Sequence, residues 1–226
     1  MLKRPLRRLV DGFARRLFDH WCDPVQAMRL IALDKTVEFL RTHGGDALCL
    51  RTREKLLDFA VGRMPQEGLI AEFGVDRGAS IRHIAARVAP RTVFGFDGFA
   101  GNPEDWSGWN APRGVFDRGG ALPRVPGNVQ LVKGWFQDTL PDFVRVHPEP
   151  VALLHVDCDL YSSTKTIFQW LADRLRPGSV IVFDEYFNYV NWEQHEHKAF
   201  QEMIASTGLR YRYAAYSTRQ MMVIVQ

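Results

Sequence analysis

The chain has 226 residues, of which 46% are hydrophobic and 24% charged, an ordinary balance for a globular protein that can bury its own core. Its formal net charge of +3 is unevenly placed, because residues 1–21 carry Lys3, Arg4, Arg7, Arg8, Arg15 and Arg16 against only Asp11 and Asp19. A basic patch confined to one terminal segment excludes a nucleic-acid groove, and the scattered Cys22, Cys49 and Cys158 exclude a disulfide framework or a zinc site.

The predicted elements begin with helices. Leu2, Leu6, Leu9, Phe13 and Leu17 recur at spacings of three and four. A second helical pattern runs through residues 25–40 and a third through 51–61, with Gly44-Gly45 and Met64-Pro65 as punctuation. Residues 1–65 therefore read as a helical accessory segment. The start has a basic flank but no continuous apolar run and no small-residue cleavage site, so neither a signal peptide nor a membrane span is expected. Thiols read as reduced place the chain in the cytoplasm. A basic amphipathic helix can lie on an anionic membrane surface or pack on another subunit. Phe13, Phe18 and Trp21 favour packing, and with it a homo-oligomer without stable membrane insertion.

From residue 66 to 226 the pattern becomes α/β. Strand-like runs cover 69–75, 92–99, 129–135, 151–159, 179–186, 210–216 and 221–225. Helix-like runs at 79–88, 136–146, 162–175 and 192–206 separate the earlier ones. This alternation predicts a seven-stranded, mostly parallel sheet covered on both faces. The last two runs are joined only by Ser217-Thr218-Arg219, too short for a parallel crossover, so the sheet should end in an antiparallel C-terminal hairpin. Residues 100–127, rich in Gly and Pro and holding Trp106, Trp109 and Phe116, read as an ordered lid or substrate loop.

Chemistry collects where apolar strands end. The first site is Glu72-Phe73-Gly74-Val75-Asp76-Arg77-Gly78, where glycine lets a ligand approach the backbone. Open α/β sheets bind ligands at this edge. The spacing is E-x-G-x-x-x-G and not the dinucleotide fingerprint G-x-G-x-x-G, which counts against a nicotinamide cofactor. Asp97 follows the first glycine by about the 20 residues at which an acid meets ribose hydroxyls. It can equally be a turn aspartate beside Gly98. Asp157-Cys158-Asp159 ends the run VALLHV, and Asp184-Glu185 ends SVIVF. Acids delivered by two strand tips to one edge suit a hard divalent cation such as Mg²⁺. Ser162 is placed to cap the next helix. His195 and His197 fall on different faces of a helix and do not form a zinc motif, and His155, inside an apolar strand, reads as a hydrogen-bonded structural residue.

With EFGVDRGAS, FGFDGFAGNPEDW, GWFQDTLP, HVDCDLYSSTK and PGSVIVFDEY in this order over residues 68–190, the chain resembles the macrocin O-methyltransferase (TylF/MycF/NovP-like) family. These are class I S-adenosylmethionine (SAM)-dependent enzymes that methylate sugar hydroxyls. The resemblance implies a Rossmann-like methyltransferase fold with SAM at the carboxyl edge of the sheet. Glu72 and Gly74 would line its methionine end, with Val75, Arg77, Gly78 and Ser80 in the same turn. Asp97 would hold the ribose beside Gly98 and Phe99, and Trp135, Phe136 and Gln137 would sit near the adenine. Asp157, Asp184 and Glu185 match positions that hold Mg²⁺, Asp157 also bordering SAM, and Asp159 matches a general base. Asp76 and Glu185 depart from the family pattern, which has an aromatic residue and a second aspartate there. The acceptor would be a small molecule, a sugar or another natural-product intermediate. A metal-independent carboxyl- or N-methyltransferase and a non-catalytic SAM-binding module remain open alternatives on the residues alone.

Overall fold

The computed structural model describes residues 9–12 and 22–226. Most of the N-terminal helix expected from Leu2, Leu6, Leu9, Phe13 and Leu17 lies outside the described residues. Helix α1 (Pro24–His43) starts at Asp23, whose side chain accepts a hydrogen bond from the Val25 amide. Strand β1 (Leu48–Cys49) leads to α2 (Arg53–Val61), where the Thr52 hydroxyl caps the Lys55 amide. The βα alternation then follows as β2 (Leu69–Phe73), α3 (Ala79–Val88), β3 (Val93–Asp97), β4 (Val129–Lys133), α4 (Phe136–Val146), β5 (Val151–Val156), α5 (Tyr161–Leu171) and β6 (Val180–Phe183). Helix α6 (Glu196–Thr207) and the hairpin β7 (Tyr211–Tyr216) and β8 (Met221–Val225) close the chain.

The strands form one sheet in the order β1-β7-β8-β6-β5-β2-β3-β4. Only β8 runs antiparallel to its neighbours, as the short hairpin turn requires. The sheet has eight strands where seven are expected. The addition is β1, a two-residue edge strand parallel to β7, too short to leave a hydrophobic period. Every residue of β2, β5 and β6 is buried, as central parallel strands covered on both faces must be. One face packs Phe94, Phe143, Ile167 and Phe200 under α4, α5 and α6; the other packs Leu56, Leu57, Ile81 and Ile84 under α2 and α3. No helix among the described residues is long and apolar enough to cross a membrane.

Two local expectations need correcting. The run 192–206 is not one helix. A 3-10 turn at Trp192–Gln194 is broken at His195 (φ −112°, ψ −123°) before α6 begins. Ser162 does not cap α5, which starts after Leu160 without a side-chain cap; the Ser162 hydroxyl donates instead to Glu104 (2.6 Å).

Candidate active site

Parallel register sets three strand tips side by side. Phe73 pairs with Val156 and Val156 with Phe183, so the next residues, Gly74, Asp157 and Asp184, emerge in a row. The Asp157 amide donates to the Phe73 carbonyl and the Asp184 amide to the Val156 carbonyl, which continues the ladder one step beyond the strands. Gly74 (φ +95°) is obligatory here, because a Cβ would lie 1.7 Å from the Asp157 carbonyl oxygen.

These tips border a cleft of about 610 Å³, within the range of small-molecule sites. Of the sequence-predicted residues, Gly74, Val75, Arg77, Ser80, Asp97, Gly98, Trp135, Phe136, Gln137, Asp157, Asp159, Asp184 and Glu185 line it. Glu72, Gly78 and Phe99 do not. Glu72 is fully buried behind the wall, where its carboxylate accepts from His155 Nδ1 (2.8 Å) and Ser80 Oγ (3.1 Å). The apolar strand leaves Glu72 no other polar neighbour to satisfy it, and β2–β5 register sets His155 directly opposite. Gly78 starts α3 in the left-handed region, and Phe99 is a core residue.

Asp97 acts on the turn itself. Its Oδ2 accepts from the Val75 and Asp76 amides (2.8 Å each), and Oδ1 accepts from the Phe99 amide (2.6 Å). The carboxylate thus clamps the β2–α3 turn to the β3 tip, and Asp97 also lines the cleft. Trp135 stacks close over Gly98, where a Cβ would meet the indole at 3.2 Å.

The acids converge. Carboxylate oxygens of Asp157, Asp159 and Glu185 lie within 4.8 Å of one another, and Asp157, Asp184 and His155 form an overlapping group. Asp184 Oδ1 and Glu185 Oε2 are buried without a hydrogen-bond partner. The all-carboxylate set Asp157, Asp159 and Glu185, with Glu185 Oε2 buried and unpartnered, fits a hard divalent cation such as Mg²⁺, whereas Asp184 joins Asp157 in the group that contains His155. Buried side by side, these groups perturb one another's ionisation. Burial pushes Asp159 up to about 7, against the hydrogen bond from Asn102 Nδ2 (3.2 Å). Burial and the neighbouring Asp184 push Asp157 and Glu185 well above the carboxylate range. Burial opposes charge on His155, but Asp184 and Glu72 on either side outweigh it and raise it to about 10. His155 is fully buried and hydrogen-bonded to Glu72, as expected, and also stands in the group with Asp157 and Asp184.

Sequence reasoning missed several polar residues here. Arg53 Nη1 donates to Asp184 Oδ2 (3.0 Å) and Asp157 Oδ2 (3.3 Å) from α2, a helix whose periodicity carries no chemical signal. Glu196 is fully buried, with Oε2 accepting from the Glu185 amide (3.1 Å). Arg219, in the hairpin turn, lines the cleft and lies 4.8 Å over the Trp109 ring. The loop at 100–127 supplies Asn102, Trp106, Trp109 and Phe116 to the opposite wall, as its aromatic content predicts. His195 is turned toward this loop, with Nε2 3.0 Å from the Ser107 carbonyl.

Comparison with known proteins follows the same outline. The methyltransferase domain family matches residues 71–186, which hold all the strand tips described above. A tetracenomycin-class enzyme of Streptomyces olivaceus, 8-demethyl-8-(2,3-dimethoxy-alpha-L-rhamnosyl)-tetracenomycin-C 4'-O-methyltransferase, is 30% identical over 116 residues. That match covers 48% of this chain and 42% of the relative, so the chain spans less than half of that relative's length. The calicheamicin methyltransferase CalS11 superposes with a TM-score of 0.60 at 25% identity, over 76% of each chain. The O-methyltransferase NovP shares the fold, with a TM-score of 0.57 at 24% identity over 76% of this chain and 78% of its own.

Proposed function

The chain belongs to the methyltransferase domain family, and from that premise we propose that it moves a methyl group from SAM to a hydroxyl of a small natural-product acceptor, with a divalent cation assisting. The observation that carries this reading is the meeting of Asp157, Asp159, Asp184 and Glu185 beside the Gly74 turn in one cleft. The names of the relatives, CalS11 and the tetracenomycin-class enzyme, support a sugar-like hydroxyl. Residues 66–226 form the catalytic domain in this reading and 1–65 an accessory segment. Its exposed α1 residues Val25, Leu30, Ile31 and Val37 support packing on a second copy.

SAM supplies an electrophilic methyl carbon, and a cation supplies a Lewis acid that lowers the pKa of a bound hydroxyl. The chain supplies the rest. Gly74 would open the floor to the sulfonium end, Asp97, which fixes the turn, would face the ribose, and Trp135 and Phe136 would form the adenine wall. Asp157, Asp184 and Glu185 would hold the cation. Asp159 takes the acceptor proton as the new O–CH₃ bond forms and the C–S bond breaks. Held alignment of the two reactants is worth about 7–11 kcal/mol of barrier. The cleft walls from the loop at 100–127 exclude water from that alignment.

The test is a tritiated-methyl transfer screen over sugar, phenolic and carboxylic acceptors, with and without Mg²⁺. Hydroxyl methylation that EDTA abolishes is expected. Transfer to carboxylates alone, or full activity in EDTA, refutes the corresponding half of the reading.

A further inference from the structure

The side chain of Arg53 is the one group in the cleft whose position conflicts with a bound metal ion among the described residues. It leaves the first turn of α2 and brings a single nitrogen, Nη1, within hydrogen-bond reach of one oxygen from each of two strand tips. The distances are 3.0 Å to Asp184 Oδ2 and 3.3 Å to Asp157 Oδ2. A positive nitrogen bridging these two carboxylates stands where a cation bridging the same two oxygens would stand. Of the other oxygens of the cluster, Asp184 Oδ1 lies 3.7 Å from His155 Nε2, and Glu185 Oε2 is buried without a hydrogen-bond partner. Mg²⁺ needs its oxygens at about 2.0–2.1 Å, so an ion on these two aspartates and the Nη1 hydrogens cannot be accommodated together. A guanidinium stays protonated, so Arg53 cannot vacate the position by losing its charge. It can vacate by moving, since its side chain lines the cleft and is 31% exposed.

We propose that Arg53 and a divalent cation compete for one seat between Asp157 and Asp184, so that metal loading and release of Arg53 are a single exchange. This rests on the methyltransferase reading for the identity of the site but not for the competition itself. Before loading, Arg53 keeps the two carboxylates from repelling each other and holds the strand tips in register. On loading, the freed guanidinium joins the wall of the acceptor cleft. Linkage makes the coupling reciprocal: any acceptor group that draws Arg53 away tightens the metal by the same factor.

Calorimetric titration of the full chain with Mn²⁺, alongside electron paramagnetic resonance of free Mn²⁺, tests the exchange in wild type, R53M and R219M. Arg219 lines the same cleft and stacks on Trp109, so R219M removes one positive charge without emptying the seat. R53M should bind Mn²⁺ at least about tenfold more tightly than wild type, and R219M should shift it less than about threefold. R53K, which keeps the charge with a different reach, should fall between wild type and R53M, and it serves if R53M does not fold. The proposal is overturned if R53M, or R53K in its place, binds no more tightly than wild type. It is equally overturned if R219M tightens Mn²⁺ as much as R53M, or if no variant binds Mn²⁺. SAM titration of the same samples is separate. A wild type that fails to bind SAM strikes the methyltransferase reading, while the Mn²⁺ series is judged by its own shifts.

Discussion

Replacing Asp97 with Asn tests whether this carboxylate builds the cofactor turn or only touches a ligand. Three backbone amides point at it: Val75 and Asp76 at Oδ2, and Phe99 at Oδ1. An asparagine can present its carbonyl to one side only. The cheaper choice faces the carbonyl toward Val75 and Asp76, which converts two charge-assisted bonds into neutral ones at about 1 kcal/mol each. The amide nitrogen then faces the Phe99 N–H across a 2.6 Å contact and leaves that donor unpaired, at about 1–3 kcal/mol. The sum is about 3–5 kcal/mol, a large part of the stability of a typical domain, about 5–15 kcal/mol. In a chain of this size it lowers the melting temperature by about 6–20 °C. Urea denaturation and calorimetric SAM titration on the same protein read both effects. Stability and SAM affinity should fall together, because the turn proposed to hold the cofactor is the turn that loosens. A variant with parental stability and lost SAM binding would refute the reasoning and leave Asp97 as a ligand contact alone.

Gly74→Ala forces a Cβ to 1.7 Å from the Asp157 carbonyl at φ +95°, with backbone on both sides. The β2 and β5 tips must part, and denaturant unfolding should show a loss above about 3 kcal/mol, since positive-φ strain alone costs about 1–3. Asp159→Asn should lower kcat for methyl transfer by about 10²–10⁴-fold while the SAM dissociation constant stays within error; an unchanged kcat removes Asp159 from the proton path. His197 supplies a pH test of the fold. Burial among Phe39, Tyr186 and Trp192, with His43 adding and Glu193 opposing, lowers it to about 4. Its neutral form is therefore favoured in the folded chain. That stability is complete above the unfolded value of about 6.5 and drains as the pH falls toward 4, by about 1.4 kcal/mol per pH unit and about 3 kcal/mol in all. His197→Phe should flatten this part of the acid profile, and a slope identical to wild type refutes the assignment.

What could be read from the chain depended on how each feature is encoded. β2, β5 and β6 announce themselves as apolar runs that end in acids, and the hairpin follows from a three-residue turn. That is enough to place Gly74, Asp97, Asp157 and Asp184 on one edge without coordinates. β1 was invisible because two residues carry no period. The break at His195 was hidden because a single backbone residue interrupts an otherwise helical pattern. Glu72 reads as a cofactor residue by position, yet register turns it toward His155, and register is a property of the pair of strands. Arg53, Asn102 and Arg219 come from an unremarkable helix, a loop and a turn, and only the tertiary fold brings them to the acids.

The charges in the cleft indicate why this arrangement is poised for a ligand. Two cations are ion-paired with the acids at the strand tips: Arg53 between Asp157 and Asp184, and, behind the wall, His155 between Glu72 and Asp184. They answer three carboxylates. Asp159, Glu185 and Glu196 are buried nearby, and no salt bridge reaches them among the described residues. Burying ionised groups in such numbers costs several kcal/mol each unless they are neutralised or matched. The fold meets part of that cost by holding Asp159, Glu185 and Glu196 toward their protonated forms. A surplus of acid beside a glycine-opened turn is destabilising as architecture. It becomes favourable when positive charge enters, and both a divalent ion and the sulfonium of SAM would bring it there. The same surplus that weakens the empty cleft is thus what gives a cationic ligand its binding energy, and Arg53 sets how much of it is spent before the ligand arrives.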